Sequence, residues 1–313
     1  MNFEKLNINR KLKDKLNEFG FKDLTSIQEK CIDEILKGRD IAGQAETGSG
    51  KTLAFCLPIL NMIKSDKGLQ ALVLTPTREL CIQVTNVFRD FGKTLGIKTI
   101  DVYGGVNINS QIKKIPASNI VVATPGRLLD HIRRKTICFK NIKFLVLDEA
   151  DKMFEMGFIE DVEKIIFYLP KCRQNLMFSA TISEDVYKIA KKHLKNALML
   201  KTKPFVDTEK LNQKYYDIYN KNDKFSLLVH LLKDSTPGLA IVFCATRKET
   251  DIVAKNLKRQ GINASAIHGG MKQNKRSKSL HRLKKQKTDV LVATDVAARG
   301  LDIKNVSHVY NYD

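Results

Sequence analysis

Eight consecutive residues, Ala45-Glu46-Thr47-Gly48-Ser49-Gly50-Lys51-Thr52, constrain this chain more than any other stretch. Glycines reach positive φ at little steric cost, so Gly48 and Gly50 let successive backbone N–H groups turn inward around an anion. A short extended run, Arg39 to Gly43, leads in, and a helix-compatible run, Lys51 to Ile63, leads out. A helix that starts there adds unpaired N–H groups and the positive end of its dipole. In this strand–loop–helix setting the stretch reads as a phosphate-binding loop. Lys51 then reaches the β- and γ-phosphates, and the Thr52 hydroxyl holds Mg²⁺. The generic pattern has Gly where this chain has Ala45. The alternative for the same residues is a plain glycine-rich turn between a strand and a helix.

The remainder of the chain supplies the setting such a loop needs. Ile8, Leu12, Leu16 and Phe19 mark one face of a helix that Gly20 closes. Thr25 or Ser26 caps a second helix with Ile27, Cys31, Ile35 and Leu36 inward, ending at Gly38. After the loop come short apolar runs at Leu69–Leu74, Ile97–Val102, Ile120–Ala123, Phe144–Leu147 and Leu176–Phe178, each followed by a longer helical pattern. Strands apolar on both faces and alternating with helices predict a parallel α/β sheet. The pattern lapses around Lys201-Thr202-Lys203-Pro204 and restarts with Tyr215–Tyr219, Leu239–Phe243, Ala264–Ile267, Val290–Ala293 and Val306–Tyr310. With 313 residues the chain exceeds one ordinary core. The expected division is residues 1–29, 30–203 and 204–313, with a flexible linker near 201–211 and no phosphate loop in the second half.

The formal charge of +20, from 54 basic and 34 acidic residues, predicts a polyanionic partner, nucleic acid before membrane. A generally lysine-rich proteome is the bland alternative. Six cysteines form no C-x-x-C pair, so neither a zinc site nor a disulfide framework is indicated. The opening Met1-Asn2-Phe3-Glu4 carries no signal-peptide core, and no apolar stretch approaches membrane-spanning length. A cytoplasmic protein without membrane partners, working as a monomer, is the expectation.

A second constellation follows from Phe144-Leu145-Val146-Leu147, which runs into Asp148-Glu149-Ala150-Asp151. A buried strand delivers Asp148 at its carboxyl end, where ligands of open α/β sheets sit. There Asp148 can hold Mg²⁺, and Glu149 can orient and deprotonate an attacking water. An acidic helix cap is the competing reading.

Together, Asp148-Glu149-Ala150-Asp151 and Ala45 to Thr52 resemble the DEAD-box family of ATP-dependent RNA helicases. The resemblance runs along nearly the whole chain in the family's order. Pro76-Thr77-Arg78-Glu79-Leu80 is similar to motif Ia, Gly104-Gly105 to the glycine doublet, and Thr124-Pro125-Gly126-Arg127 to motif Ib. Ser179-Ala180-Thr181 is similar to motif III, Ile241 to Arg247 to motif IV, Gln273 and Arg276 to Q-x-x-R, and Thr294 to Asp302 to motif V. Gly20-Phe21-Lys22-Asp23-Leu24-Thr25-Ser26-Ile27-Gln28 resembles the Q motif, with Leu24 where the family usually has Pro.

The resemblance implies two RecA-like domains of the P-loop NTPase type, ATP and Mg²⁺ as cofactors, and RNA as partner. It assigns Lys51, Asp148 and Glu149 to catalysis. Nucleotide contacts fall to Ala45 through Thr52, to Phe21, Thr25 and Gln28, and to Gly300 and Asp302. A primary amide such as that of Gln28 can accept from adenine N6 and donate to N7, which guanine does not match. Phe3 either stacks on the adenine or is a plain hydrophobic anchor. RNA contacts fall to Pro76, Thr77, Arg78, Gly104, Gly105, Thr124, Pro125, Gly126, Arg127, Arg247, Gln273, Arg276 and Thr294. The arginines are forked donors suited to phosphate. Backbone contacts of this kind carry no base sequence and are salt-sensitive. Asp151, Ser179 and Thr181 would couple hydrolysis to the domain interface. The basic stretch Lys272, Lys275, Arg276, Lys278, Arg282, Lys284, Lys285 and Lys287 faces nucleic acid in part and water in part.

The sequence ends at Asp313, ahead of the family's motif VI and its arginine fingers. The expectation is an incomplete second domain and weak hydrolysis by these residues alone, since such fingers are worth roughly 10³–10⁵ in rate. A DNA-directed translocase and a non-unwinding ATP-gated RNA clamp are the rival readings. A P-loop kinase has no use for motifs Ia through V.

Overall fold

The computed structural model describes residues 2–202, 212–220, 222–234, 238–271, 273–285, 287–295, 303 and 306–313. The chain divides into two compact units, Met1–Lys210 and Leu211–Asp313.

In the first unit each doubly apolar run becomes a strand buried on both faces. These are β1 (Ile41–Gln44), β2 (Ala71–Leu74), β3 (Thr99–Val102), β4 (Ile120–Ala123), β5 (Phe144–Asp148) and β6 (Gln174–Ser179). The helices are α1 (Arg10–Glu18), α2 (Ser26–Leu36), α3 (Lys51–Met62), α4 (Arg78–Gly92) and α5 (Ile108–Lys114). They continue with α6 (Pro125–Arg133), α7 (Ala150–Glu155), α8 (Ile159–Phe167) and α9 (Glu184–His193). With β7 (Leu198–Lys201), the strands form a seven-stranded parallel sheet in the order β3-β4-β2-β5-β6-β1-β7.

Successive strand residues point to opposite faces, and the core divides accordingly. Ile41, Ala71, Val73, Ile120, Val122, Phe144, Val146, Leu176 and Phe178 face one apolar cluster with side chains from α1 to α4. Ala42, Leu72, Leu74, Val121, Ala123, Leu145, Leu147 and Met177 face the other, beneath α6 to α9. Each fully buried large side chain contributes about 1.5–3 kcal/mol, so burial on both faces holds the sheet between its two helical layers.

The second unit contains α10 (Asp223–Asp234), β8 (Leu239–Phe243), α11 (Arg247–Arg259), β9 (Ala264–Ile267), α12 (Gln273–Lys284), β10 (Val290–Ala293) and β11 (Val306–Asn311). Among the described residues its strands form a four-stranded parallel sheet ordered β11-β8-β10-β9. Ala240 and Val242 pack under α11, while Ile241, Leu291 and Ala293 pack with Leu283 of α12. Both units are therefore parallel-sheet α/β domains.

Three expectations need correction. Tyr215–Tyr219 is not a strand: Tyr215 and Tyr219 are 88% and 101% exposed, and the segment has no ladder partner among the described residues. Conversely, β7 lies where the pattern lapses. It pairs with β1 from Ile41↔Leu198 to Gln44↔Lys201 and is an edge strand whose residues alternate half-buried and exposed. Phe19 is 47% exposed and meets Phe91 at 5.4 Å between ring centroids instead of entering the core. Helix ends at Gly20 and Gly38 stand as expected. Cys31, Cys56, Cys81 and Cys244 are buried, whereas Cys138 and Cys172 are exposed.

Candidate functional site

All strands of the first sheet run the same way, so the loops after them emerge along one edge in sheet order. From one end of that edge, Gly104–Gly105 follow β3, Thr124–Arg127 follow β4, and Pro76–Arg78 follow β2. Asp148 and Glu149 close β5, Ser179–Thr181 close β6, and Ala45–Thr52 follow β1. The edge is thus partitioned: groups suited to a sugar–phosphate backbone occupy β3-β4-β2, and groups suited to a triphosphate occupy β5-β6-β1.

On the triphosphate side, Gly50 is the N-cap of α3 with φ +92. A Cβ there would lie 2.5 Å from Gln28 Nε2 and 2.9 Å from Thr25 Oγ1, so only glycine fits. Lys51 is buried, and its Nζ donates to the backbone oxygens of Ala45 at 2.5 Å and Glu46 at 3.0 Å. Ser49 Oγ donates to Glu46 O at 2.7 Å, and Thr52 is half buried in the first turn of α3. Thr47 and Gly48 are exposed at the tip. The Ala45 N–H donates to Ser179 O at 2.9 Å, which ties the loop to β6.

Gln28 is 3% exposed and uses both ends of its amide. Its Oε1 accepts from the Thr25 N–H at 2.9 Å, and its Nε2 donates to Gly50 O at 3.1 Å. An adenine read by this amide has to share or replace those partners. Phe3 is 3% exposed within the core, its ring edge-on to Phe21 at 6.4 Å, and Phe21 keeps 39% of its surface open. Of these two rings, Phe21 is the one open to a ligand. Gly300 and Asp302 lie outside the described residues.

Asp148 and Glu149 are 2% and 7% exposed. Burial pushes Asp148 up to about 6, against the pull of the nearby Lys51 ammonium and the Glu149 N–H. Burial and the Asp148 charge push Glu149 up to about 7. Glu149 stands at the N-cap position of α7 with φ 53 and ψ 53, yet its side chain makes no capping hydrogen bond. A non-glycine residue held left-handed is strained and needs its surroundings to hold it there. The helix-cap reading is therefore not what the geometry displays. Two desolvated carboxylates beside one lysine form a donor set that suits a divalent cation, and Asp148 with Thr52 fits Mg²⁺ in that respect.

Behind the pair, Asp151 Oδ2 accepts from the Thr181 N–H at 2.9 Å and from Thr181 Oγ1 at 3.0 Å. The Asp151 N–H donates to Ser179 Oγ at 3.1 Å, and that hydroxyl donates to Thr181 O at 2.7 Å. These three residues form one closed hydrogen-bonded unit.

On the backbone side, Thr77 caps α4, its hydroxyl accepting from the Leu80 N–H at 3.3 Å, and Pro76 is buried before it. Arg78 lies over the glycine doublet: a Cβ on Gly105, itself at φ +87, would be 2.4 Å from Arg78 Nη1. Thr124 and Pro125 open α6, and Gly126 is exposed beside them. Arg127 turns inward, donating from Nη1 to Val106 O at 3.0 Å and to Gln111 Oε1 at 3.1 Å. Gln111 was not foreseen, because nothing in its spacing marks it.

The second unit repeats the backbone-side pattern. Its order β9-β10-β8-β11 corresponds to β3-β4-β2-β5. Thr246 caps α11 as Thr77 caps α4, and Arg247 lies over Gly269 and Gly270. Leu291-Val292-Ala293-Thr294 echoes Val121-Val122-Ala123-Thr124, and Gly269–Gly270, which were not foreseen, stand after β9 as Gly104–Gly105 stand after β3. Arg276 is 7% exposed and Thr294 9%, while Lys275, Lys278, Arg282, Lys285 and Lys287 are exposed; Gln273 opens α12. Lys272 and the Lys284 side chain lie outside the described residues, as do Val296 to Leu301. No helix among the described residues is long and apolar enough to cross a membrane.

Comparison with known proteins agrees with this layout. A DEAD/DEAH box helicase model matches residues 25–189, and a helicase conserved C-terminal domain model matches 223–313. The DEAD-box ATP-dependent RNA helicase CshA of Streptococcus pneumoniae is 44% identical over 315 residues, covering 100% of this chain and 60% of that protein. The chain thus spans about 60% of the length of the curated relatives it matches. A DEAD box protein from the hyperthermophile Methanococcus jannaschii aligns with TM-score 0.64 and 40% identity, covering 100% of this chain and 85% of that one. Dbp5 of S. cerevisiae, solved bound to RNA and ADP BeF3, aligns with TM-score 0.87 and 33% identity, covering 100% and 80%. The two α/β units are RecA-like in these neighbours' terms. With a phosphate loop after β1, a buried carboxylate pair ending β5 and both halves matched in order, this chain belongs to the DEAD/DEAH box helicase family.

Proposed function

We propose that the intact protein is an ATP-dependent RNA helicase that grips the RNA sugar–phosphate backbone and opens short duplexes locally. The observation that carries this reading is the partition of the first sheet's edge, with triphosphate groups on β5-β6-β1 and backbone-gripping groups on β3-β4-β2. The names of the relatives, and RNA in the Dbp5 structure, support it.

In this reading the Lys51 ammonium leaves the Ala45 and Glu46 carbonyls for the β- and γ-phosphates. Thr52 and Asp148 would hold Mg²⁺, which neutralises charge on the phosphate oxygens when bound. Glu149, held near neutrality in its pKa, takes the proton of the attacking water. A base with a pKa near the working pH is the most effective one. Gln28 and Phe21 flank the base of the nucleotide. The Asp151–Ser179–Thr181 unit links the carboxylate pair to the end of β6. Pro76, Thr77, Arg78, Gly104, Gly105, Thr124, Pro125 and Gly126 contact the RNA backbone from the first unit. Arg247, Gln273, Arg276 and Thr294 do so from the second. The protein works in the cytoplasm as a monomer.

The test compares ATPase stimulation by RNA and by DNA in the intact-length protein, alongside strand displacement on a short RNA duplex. RNA stimulation with displacement is the expected outcome. Equal stimulation by DNA favours a DNA translocase. Stimulation without displacement favours an ATP-gated clamp.

A further inference from the structure

The forked arginine of the Thr124–Arg127 segment makes contacts unlike those of a phosphate ligand. A guanidinium captures phosphate with two nitrogens at once, either Nη1 with Nη2 or Nε with Nη2. In Arg127 both Nη1 protons are engaged, one on Val106 O at 3.0 Å and one on Gln111 Oε1 at 3.1 Å. Its Nε is shielded from water, makes no hydrogen bond, and has Asp130 Oδ2 at 3.7 Å. Each two-nitrogen edge therefore contains a nitrogen turned into the protein, and the side chain is only 12% exposed.

The partners are themselves fixed. Gln111 is 4% exposed, and its Nε2 donates to Tyr103 O at 3.1 Å. The amide can take only this orientation, because the reverse would set its NH₂ against the Arg127 N–H. Its Oε1 is then an acceptor, so His131 Nε2, 3.0 Å away, must carry the proton. His131 Nδ1 is left as an acceptor for the single Thr136 hydroxyl proton, 2.8 Å from Oγ1, with the His131 carbonyl oxygen at 3.2 Å as the competing acceptor. His131 is fully buried, and burial followed by the Arg127 charge lowers its pKa, which keeps the ring neutral. Donations from His131 and from Arg127 thus converge on Gln111 Oε1, which fixes both donors at once. The network ends on Tyr103 and Val106, the residues on either side of Gly104–Gly105.

We propose that Arg127 is a bracket, set by Gln111 and His131, that holds the Gly104–Gly105 turn against the start of α6, and that it does not itself ligate phosphate. Gln111 and His131 are then positioning residues for RNA binding. The proposal rests on the reading that this edge grips an RNA backbone.

The test is equilibrium binding of fluorescein-labelled decauridylate to the intact protein with a saturating non-hydrolysable ATP analogue, across a salt series. Arg127→Ala and Arg127→Lys should each weaken binding roughly tenfold or more, the loss expected when a hydrogen bond to a charged group goes. The slope of log K against log [salt] should stay at the wild-type value. Gln111→Leu should weaken binding similarly and add little on top of Arg127→Ala. ATP affinity without RNA should be unchanged in every variant, since that site is on the other half of the edge. A slope shallower by about 0.7 in Arg127→Ala, one phosphate on a single strand, with Arg127→Lys near wild type, overturns the bracket. Full additivity of Gln111→Leu and Arg127→Ala overturns the positioning role. If Arg127→Ala does not fold, Arg127→Lys makes the same discrimination with charge and bulk retained. Wild-type binding with no salt dependence would instead remove the RNA-backbone reading itself.

Discussion

Glu149 combines a left-handed backbone, a side chain that caps nothing, and a pKa near 7. Strain and desolvation at one position mark it as a candidate for chemistry. Glu149→Gln should lower turnover roughly 10²- to 10⁴-fold, the range for loss of a general base, while RNA still binds in the presence of ATP. Lys51→Ala should abolish nucleotide binding measured by fluorescent-nucleotide titration. Normal ATP turnover by both variants of the intact protein would falsify the site assignment. The raised carboxylates also make a stability prediction for the protein free of nucleotide and metal. Asp148 and Glu149 ionise near 6 and 7 when folded, against 3.8 and 4.5 as ordinary groups. The folded state therefore holds more protons than the unfolded state between those values, and stability falls as pH rises through that window. Thermal melts should give Glu149→Gln a growing advantage from pH 5 to pH 8. The placing of Lys51 at the loop and of Asp148 and Glu149 at the end of β5 was legible in the sequence because it follows from local spacing. The double engagement of Gln28 was not: its partner Gly50 is 22 positions away, and only the packing of α2 against the loop brings them together.

The strands that carry these residues depend on a few large side chains beneath them. Phe178 in β6 is fully buried, with Phe55 of α3 at 5.3 Å between ring centroids, and Phe55 in turn meets Phe88 of α4 at 6.0 Å. This aromatic row locks the helix that leaves the phosphate loop onto the sheet. Phe178→Ala should cost about 3–5 kcal/mol, read as a lower denaturant midpoint, and should weaken ATP binding although the side chain touches no ligand. At this scale the sequence pattern served well wherever a strand is buried on both faces, as in Ile120–Ala123 and Val290–Ala293. It also found β11, whose burial is one-sided, but it missed β7 and misread Tyr215–Tyr219. Edge strand β7 alternates half-buried and exposed residues, with the apolar Met199 on the open face, and the aromatic run Tyr215–Tyr219 imitates a strand without packing like one. Apolar composition reports what a segment could bury, not whether a partner is there to bury it.

For the molecule as a whole, the excess of basic residues and the backbone-directed side chains predict RNA binding that weakens steeply with salt and ignores base sequence. Binding of homopolymers across a salt series should give parallel lines, each with a slope near 0.7 per phosphate engaged. ATP and RNA affinities should strengthen each other by the same factor, since the coupling is reciprocal; unequal factors in paired titrations would show the binding scheme to be incomplete. The two-unit architecture was readable from length and alternation alone, whereas the matching strand orders β3-β4-β2-β5 and β9-β10-β8-β11 emerge only from the sheets. That matching has a further consequence. Both halves repeat the threonine cap, the arginine after it and the glycine pair beneath that arginine, but only the first bears a glycine loop with a lysine behind it. A molecule with two handles and one trigger should take up a single equivalent of nucleotide per chain, and its fuel consumption should follow the number of encounters with RNA, not the length of the strand.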